Sequence, residues 1–269
     1  MRIKGTIGLI GTGNMGGAIL EGLFKKKIAL GRQIWVYDKI RGKAPAFARR
    51  LKTNSASDCR ELVRRSRVVI LAVKPQDLLE TAREFKMELT RNHVLISILA
   101  GTPIAKIRRA VGKLPAIVRA MPNLGAKVGE SVTALAGKGP RDLGIAEKIF
   151  SGCGKVTVLP EKYFDLVTAV SGSGPAYFFL LMEILAKEGE RCGLSRQTAE
   201  LLAVQTAVGA GLLARASSVS PAELRRMVTS QKGTTEAALK VLEKRHFSAI
   251  FHQALQAALR RGRKLSKMR

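Results

Sequence analysis

The feature that most constrains the fold of this chain is a glycine-rich stretch near its beginning. Gly11, Gly13 and Gly16 follow a short apolar run and precede an amphipathic stretch. In a strand–turn–helix unit the first glycine permits a tight turn, the second lets backbone approach a pyrophosphate, and the third permits close packing of helix on strand. The helix N-terminus offers unpaired N–H groups to the phosphates. The pattern predicts a dinucleotide site at Gly11, Thr12, Gly13, Asn14, Met15 and Gly16.

The periodicity of apolar residues changes near Pro160. Before it, short apolar runs alternate with amphipathic stretches, which is typical of parallel strands joined by crossover helices. We predict strands at 6–10, 33–37, 68–72, 94–98, 116–119, 132–136 and 155–159. After it, apolar residues recur at helical spacing. We predict helices there at 164–170, 176–191, 198–215, 235–244 and 248–260.

The predicted fold class is therefore α/β, in two domains. An N-terminal Rossmann-type dinucleotide-binding domain takes residues 1–160, and an all-α substrate-binding and dimerisation domain takes residues 161–269. The helix at 198–215 carries Leu201, Val204 and Leu212, which leave it without a clean polar face. Because a helix that is apolar most of the way round needs covering, we expect a second copy of the chain and a homodimer.

Composition excludes several classes of protein. The formal net charge is +27, and such a field attracts polyanions, but the aromatic residues are not interleaved with basic ones as stacking platforms for nucleic acid. We expect no specific nucleic-acid partner. Because 18 consecutive apolar residues occur nowhere, we expect no membrane span. Cys59, Cys153 and Cys192 have no CxxC spacing, so we expect no metal site and a cytoplasmic location.

Choice between the two nicotinamide cofactors depends on the end of the second predicted strand. Asp38 lies where an acid binds the ribose hydroxyls of NAD. Lys39, Arg41 and Lys43 follow it, and these side chains could clamp the 2′-phosphate of NADP. We favour NADPH, with NADH as the alternative, and include Asp38 and Lys39 among the cofactor-binding residues.

Two polar loops precede helices in the second half of the chain. Ser171–Pro175 leads into one, with Pro175 suited to a first helical turn. Thr229–Thr235 leads into another, with Glu236 at its start. Small residues before a helix leave N–H groups open, and the helix dipole favours an anion there. Each loop is either an ordinary helix cap or part of a site for a small carboxylate.

The sequence resembles the pyrroline-5-carboxylate reductase family along nearly its whole length. The segments that carry the resemblance are GLIGTGNMGGAI at 8–19, VILAVKPQ at 69–76, SILAGTPI at 97–104, VRAMPN at 118–123, TAVSGSGPAYFFLLMEILA at 168–186 and LRRMVTSQKGTTEAALKVLE at 224–243. The resemblance implies hydride transfer from a nicotinamide cofactor to a cyclic imine carboxylate, giving proline. We expect a homodimer that assembles further into a larger ring such as a decamer.

The resemblance also implies roles for individual residues. The residues expected to border the cofactor are Ala72, Val73, Lys74, Ala100 and Gly101. Met121 and Asn123 are expected close to the nicotinamide. Those holding the substrate carboxylate are Ser173, Gly174, Gly233 and Thr234. Thr235 matches the hydroxyl near the ring nitrogen and is the expected catalytic residue. A protonated imine is already electrophilic, so alignment is expected to supply most of the catalysis.

The chain departs from the family pattern at three places. Gln231 and Lys232 stand where Pro-Gly is usual, Leu124 and Gly125 stand where Thr-Pro is usual, and Cys59 stands where an Asn is frequent. Two alternatives remain. One is a β-hydroxyacid dehydrogenase-like oxidoreductase, which depends on a lysine in its helical domain. The other is a non-catalytic basic paralogue that binds nucleic acid.

Overall fold

The computed structural model describes residues 3 and 5–267, which form two compact units. The first unit runs to Ser173 and includes the chain again from Leu259. The second unit comprises Gly174–Ala258. The first contains a β-sheet covered by helices and the second is helical, so the predicted α/β class is confirmed.

Within the described residues, the first unit has one eight-stranded sheet with the order β3-β2-β1-β4-β5-β6-β7-β8. The strands are β1 Ile7–Ile10, β2 Ile34–Tyr37, β3 Asn54–Ser55, β4 Val68–Leu71, β5 Val94–Ser97, β6 Ala116–Met121, β7 Ser131–Ala136 and β8 Gly154–Val158. Every residue of β1, β4 and β5 is buried, as continuous apolar runs covered on both faces require.

Two features of the sheet differ from the sequence prediction. The two-residue strand β3 was not predicted, because two residues are too few to show an alternating pattern. The predicted parallel arrangement is wrong for β6 and β7, which pair antiparallel with Arg119 opposite Ala136. Only residues 122–130 join these strands, and a parallel crossover needs a dozen or more residues.

Helices pack on both faces of the sheet. The first unit's helices are α1 Asn14–Lys25, α2 Lys43–Leu51, α3 Cys59–Arg65, α4 Leu78–Phe85, α5 Ile104–Val111, α6 Pro140–Phe150 and α7 Phe164–Val167. One apolar cluster joins α1, α2 and α6 to the sheet, and a second joins α3, α4 and α5. The nucleotide loop therefore stands on a sheet fixed from both sides.

The second unit is helical and has little core of its own. The remaining helices are α8 Gly174–Arg191, α9 Arg196–Ala216, α10 Pro221–Met227, α11 Thr234–Lys244 and α12 Phe247–Lys267. Its buried apolar cluster consists of three alanines, Ala186, Ala199 and Ala203. Large apolar side chains of α8 and α9 are exposed, among them Phe178 at 62% and Leu201 at 64%.

The last helix is longer than predicted. The sequence indicates an end near Arg260, because the residues that follow are mostly basic. In the structure α12 continues to Lys267. Its final turns belong to the first unit, where the Ser266 hydroxyl donates to the Asp165 carboxylate at 2.7 Å. A tertiary contact thus extends a helix that local composition would let fray.

Among the described residues, one helical segment is long and apolar enough to cross a membrane by length and composition. Glu161–Arg191 has a mean hydropathy of 1.3 in its most apolar window, of which 17% is buried. Arg196–Ala216 and Pro221–Met227 pass the same test only if taken together, and they are bent by 119°. These helical segments carry the exposed apolar side chains of α8 and α9.

Candidate active site

The glycine loop has the geometry of a phosphate-binding turn. Gly11 follows β1 with φ +100, and a Cβ there would lie 2.6 Å from the carbonyl oxygen of Ala72. Gly13 precedes α1 with φ −72 and ψ −173 and makes no side-chain cap. The first-turn amides of α1 are therefore left for another acceptor, as phosphate binding requires.

The three glycines of the loop have different surroundings. A Cβ on Gly16 would overlap the carbonyl oxygen of Gly11 and lie 3.2 Å from Leu9 Cδ2. A Cβ on Gly13 would have no protein atom within 4 Å. Gly11 and Gly16 are thus required by the fold itself, whereas the space beside Gly13 is open to a ligand.

One cavity brings seven of the fourteen predicted cofactor residues together. It has a volume of about 200 Å³ and lies at the carboxyl ends of β1, β2 and β4, where α/β folds bind nucleotides. The predicted residues that line it are Gly11, Gly13, Asp38, Lys39, Ala72, Val73 and Lys74. Thr12 and Asn14 line an adjacent cleft of about 540 Å³ with Gly13, Lys43 and Lys127. Lys74 is exposed but faces the first cavity.

The Asp38 carboxylate is already engaged by protein donors. Its Oδ2 accepts from the amide and hydroxyl of Thr12, both at 2.8 Å, and lies 3.1 Å from Lys43 Nζ. Its Oδ1 accepts from the Ile40 amide at 3.1 Å. Burial raises the pKa of this carboxyl, but the hydrogen bonds from Thr12 and Ile40 outweigh that and hold the pKa below its ordinary value. Asp38 is thus an anion that ties β2 to the glycine loop.

Basic side chains at the mouth of the cavity are partly neutralised. Lys39 Nζ lies 3.1 Å from Asp77, and its side chain is 63% exposed. Lys43 pairs with Asp38 and lines both the cavity and the adjacent cleft. Lysines on flexible, exposed stems can turn toward a phosphate at small cost.

Four further predicted cofactor residues lie outside this cavity in the same unit. Ala100 is exposed and Gly101 is buried with φ +62, its position packed against Leu265 of α12. Asn123 Oδ1 accepts from the Gly125 amide at 3.0 Å. Met15 is part of α1. None of these four predicted residues lines the 200 Å³ cavity among the described residues.

The departure at Leu124 and Gly125 has a local explanation. The Gly125 amide donates to Asn123, a bond that proline at this position cannot make. A Cβ on Gly125 would also lie 2.7 Å from the carbonyl oxygen of Glu130. Asn123 is held further by its own amide, which donates to Ser131 Oγ at 3.1 Å. Sequence reasoning missed Ser131, because nothing local distinguishes it from other strand serines.

The Ser-Gly loop continues the turns that follow α7. The Ser171 hydroxyl donates to the Val167 carbonyl at 3.0 Å, and the Ser173 amide donates to the Thr168 carbonyl at 2.8 Å. Gly172 packs against Met121, since a Cβ there would lie 2.6 Å from Met121 Cε. The structure thus brings this loop to the end of β6. Because the Ser173 amide already has an acceptor, its hydroxyl is the better candidate for a ligand contact.

The second polar loop opens α11 in the second unit. Gly233 caps the helix without a side-chain acceptor, so the amides of the first turn, which begins with Thr234 and Thr235, receive no cap from it. Lys232 takes a left-handed conformation with φ 58, and its amide donates to the Glu236 carboxylate at 2.7 Å. That hydrogen bond and the nearby Lys240 hold the pKa of Glu236 below its ordinary value. The fold accommodates Lys232 where a glycine would be unstrained.

Other candidate groups have structural surroundings. Cys59 and Cys153 are buried, and burial raises the pKa of the Cys153 thiol to about 11. His93 is buried, with Nδ1 2.9 Å from Thr90 and Nε2 3.2 Å from the Val63 carbonyl. In the part of the chain that the structure describes, no group of three or more His, Cys, Asp or Glu is placed to hold a metal ion.

Two family models match the chain, one over each part. Residues 161–265 match the model described as pyrroline-5-carboxylate reductase dimerisation, and residues 6–101 match the model described as NADP oxidoreductase, coenzyme F420-dependent. The first match indicates that the chain oligomerises. The second agrees with the nucleotide loop at Gly11–Gly16.

Relatives extend the similarity to the whole chain. It is 37% identical over 264 residues to a pyrroline-5-carboxylate reductase from Methanosarcina acetivorans, covering 97% of this chain and 98% of that one. Identity to the enzyme of the same name from Pseudomonas aeruginosa is 38% over 265 residues, covering 97% of each. A pyrroline-5-carboxylate reductase structure from Coxiella burnetii has TM-score 0.92 at 36% identity, covering 99% of this chain and 100% of that one. The Plasmodium falciparum pyrroline carboxylate reductase with NADP bound has TM-score 0.88 at 29% identity, with the same coverage.

Proposed function

Because this chain belongs to the pyrroline-5-carboxylate reductase family, we propose that it reduces the imine of 1-pyrroline-5-carboxylate with NAD(P)H and so catalyses the last step of proline biosynthesis. The observation that carries the proposal is the similarity to reductases of this name along both units. The open space beside Gly13, at an uncapped helix N-terminus, fits the pyrophosphate of the cofactor.

Within this proposal the two polar loops hold the substrate. Thr234 and Gly233 at the start of α11, with Gly174 and the hydroxyl of Ser173, bind the substrate carboxylate. Amides at a helix N-terminus suit an anion, and their stabilisation is about 0.3–1 kcal/mol from the helix dipole. The Thr235 hydroxyl donates a hydrogen bond to the ring nitrogen as it becomes an amine. The reduced nicotinamide supplies the hydride when it is bound.

We further propose that NADPH is preferred over NADH. In NAD-dependent Rossmann folds an acid at the end of the second strand accepts the ribose hydroxyls. Here Oδ2 of Asp38 is surrounded by three donors from Thr12 and Lys43, which leaves little capacity for a ribose. Arg41 is exposed nearby and Lys39 is on the cavity wall, so a 2′-phosphate would meet cations. The expected result is a kcat/KM for NADPH about tenfold or more above that for NADH.

The oligomer is proposed to be a homodimer formed through α8 and α9. The second unit's buried cluster of three alanines is too small to stabilise a helical unit alone, while leucines and phenylalanines are exposed beside it. Burying one such side chain stabilises by about 1.5–3 kcal/mol. The dimerisation model covers these helices and the apolar segment from Glu161, so a protein partner accounts for that surface better than lipid. A larger ring and a cytoplasmic location remain part of the proposal.

The activity is tested with purified protein, 1-pyrroline-5-carboxylate and each cofactor in turn. We expect the loss of reduced cofactor to match the proline formed, measured by chromatography. Thr235→Val, which keeps the shape and removes the hydroxyl, should lower kcat about a hundredfold, and Thr235→Ser should restore much of it. Oxidation of neither cofactor with this substrate, together with turnover of a hydroxyacid, would favour the dehydrogenase alternative.

A further inference from the structure

A buried arginine lies between the cofactor fold and the segment that leads to the Ser-Gly loop. Arg119 projects from β6 and is 3% exposed. Its Nη1 donates to Glu161 Oε1 at 3.1 Å, and its guanidinium lies 4.7 Å from the centre of the Phe164 ring. Among the described residues, Arg119 Nη2 has no hydrogen-bond partner. All these contacts lie within the first unit.

The partner carboxylate joins a second element. Glu161 Oε1 also accepts from the Ile104 amide at 2.7 Å, at the start of α5 and three residues after Gly101. Burial lowers the pKa of the Arg119 guanidinium, while the hydrogen bond and charge of Glu161 and the charge of Asp165 oppose that change. The Arg119 guanidinium is thus hydrogen-bonded to the segment that begins at Glu161.

Burying such a pair is a poor way to gain stability alone. Removing a guanidinium from water is costly, and an apolar side chain of similar volume often stabilises a core as well or better. An ion pair does, however, favour one alignment of two elements over neighbouring ones. Among the described residues no protein acceptor offsets the desolvation of Arg119 Nη2.

Strand β6 contacts the 161–173 segment near the segment's beginning and near its end. Arg119 meets Glu161 and Phe164 at the beginning, and Met121 packs against Gly172 at the end. Arg119 and Met121 are two residues apart, so they lie on one face of the strand. Asn123, on the nicotinamide side of the proposed site, follows directly. One strand thus sets the position of the Ser-Gly loop relative to Asn123.

A further contact fixes the same segment from the chain's end. Asp165 accepts from Ser266 of α12, and Leu265 beside it packs on Gly101. The segment that begins at Glu161 is therefore held by β6, by the start of α5 and by α12. Arg119 is the most buried charged group among these contacts.

We propose that Arg119 is a positioning residue of the reaction: through Glu161 and Phe164 it holds the 161–173 segment so that Ser173 stays aligned with the nicotinamide end of the site at Asn123. The inference rests on the proposed function, which supplies the substrate. A misplacement of about 1 Å is enough to cost about a hundredfold in rate. Arg119 itself touches neither substrate nor cofactor in this scheme.

Four single variants of the full chain test this. In Arg119→Met the kcat/KM for 1-pyrroline-5-carboxylate is expected to fall about a hundredfold, with the Kd for NADPH changed by less than about threefold. The kcat/KM of Glu161→Gln should fall less than that of Arg119→Met. Arg119→Lys, which keeps the positive charge, should retain part of the kcat/KM that Arg119→Met loses. The matched control is Arg64→Met, which breaks the exposed pair with Glu88 at 3.4 Å and should leave both constants unchanged.

Hydrogen exchange provides a second readout that does not depend on turnover. Arg119→Met should accelerate amide exchange in residues 164–173 and leave β1 and β2 protected as in the parent. The inference is overturned if the kcat/KM of Arg119→Met is within threefold of the parent value. It is also overturned if Arg119→Met loses affinity for NADPH by the same factor as it loses kcat/KM. If Arg119→Met does not fold, Glu161→Gln decides by the same two measurements. If the parent chain does not reduce the imine, the proposed function fails, and exchange in 164–173 still decides whether Arg119 holds the segment.

Discussion

Replacing single glycines of the nucleotide loop by alanine separates the requirements of the fold from those of the cofactor. Gly11 has φ +100, where an alanine costs about 1–3 kcal/mol of backbone strain. Its Cβ would also lie 2.6 Å from the Ala72 carbonyl oxygen, and forced overpacking costs about 1–3 kcal/mol more. We expect Gly11→Ala to lower the free energy of unfolding by about 4 kcal/mol, from the middle of these ranges.

The same substitution two residues later should leave stability intact. Gly13 has an extended backbone that alanine adopts freely, and its Cβ would meet no protein atom within 4 Å. That methyl group would stand where the proposed pyrophosphate approaches the backbone. We expect Gly13→Ala to change the free energy of unfolding by less than about 1 kcal/mol and to weaken NADPH binding at least about tenfold, or about 1.4 kcal/mol.

Thermal unfolding and titration of NADPH fluorescence measure the two effects separately. A loss of about 4 kcal/mol corresponds to a fall in Tm of about 8–16 °C for a unit of this size, so Gly11→Ala is readily distinguished from the parent. Gly13→Ala should melt within about 4 °C of the parent. The reasoning is refuted if Gly13→Ala melts as low as Gly11→Ala, or if it binds NADPH as tightly as the parent.

Three further outcomes are expected. Because hydrogen bonds lower the folded-state pKa of Asp38, its ionised form stabilises the fold above the unfolded pKa of about 3.9, and this contribution is lost as pH falls through the lower folded value. Denaturant titrations of Asp38→Asn and the parent should therefore converge at low pH; a constant difference from pH 7 to pH 2 would contradict this. Gly144→Ala, in the interior of α6 with no atom near its Cβ, should raise Tm by about 1–4 °C, and a lower Tm would show a contact not accounted for. Cys59 and Cys153, whose pKa values are raised by burial, should resist iodoacetamide at pH 8 in the folded chain and react after unfolding, as mass spectrometry of the peptides would show.

Much of the architecture is present in local sequence patterns. The apolar runs predict every strand of the sheet except β3, since strand and helix periods depend on neighbouring residues alone. The glycine spacing likewise predicts the nucleotide loop. The family resemblance and the relatives that match nearly the whole chain agree on the kind of enzyme, because both halves of the chain carry motifs of the same family.

The tertiary structure decided what depends on residues far apart in the chain. The glycine motif does not show that Gly11 and Gly16 are required by packing while Gly13 faces open space. The sequence places Asp38 at the end of the second strand but does not show that Thr12, 26 residues away, donates to its carboxylate. In the sequence nothing distinguishes Arg119 from the other 46 Lys and Arg residues. Only the fold shows that Glu161, 42 positions later, accepts a hydrogen bond from it. Periodicity records which face of an element is buried, whereas pairing between distant side chains is settled only when packing brings their elements together.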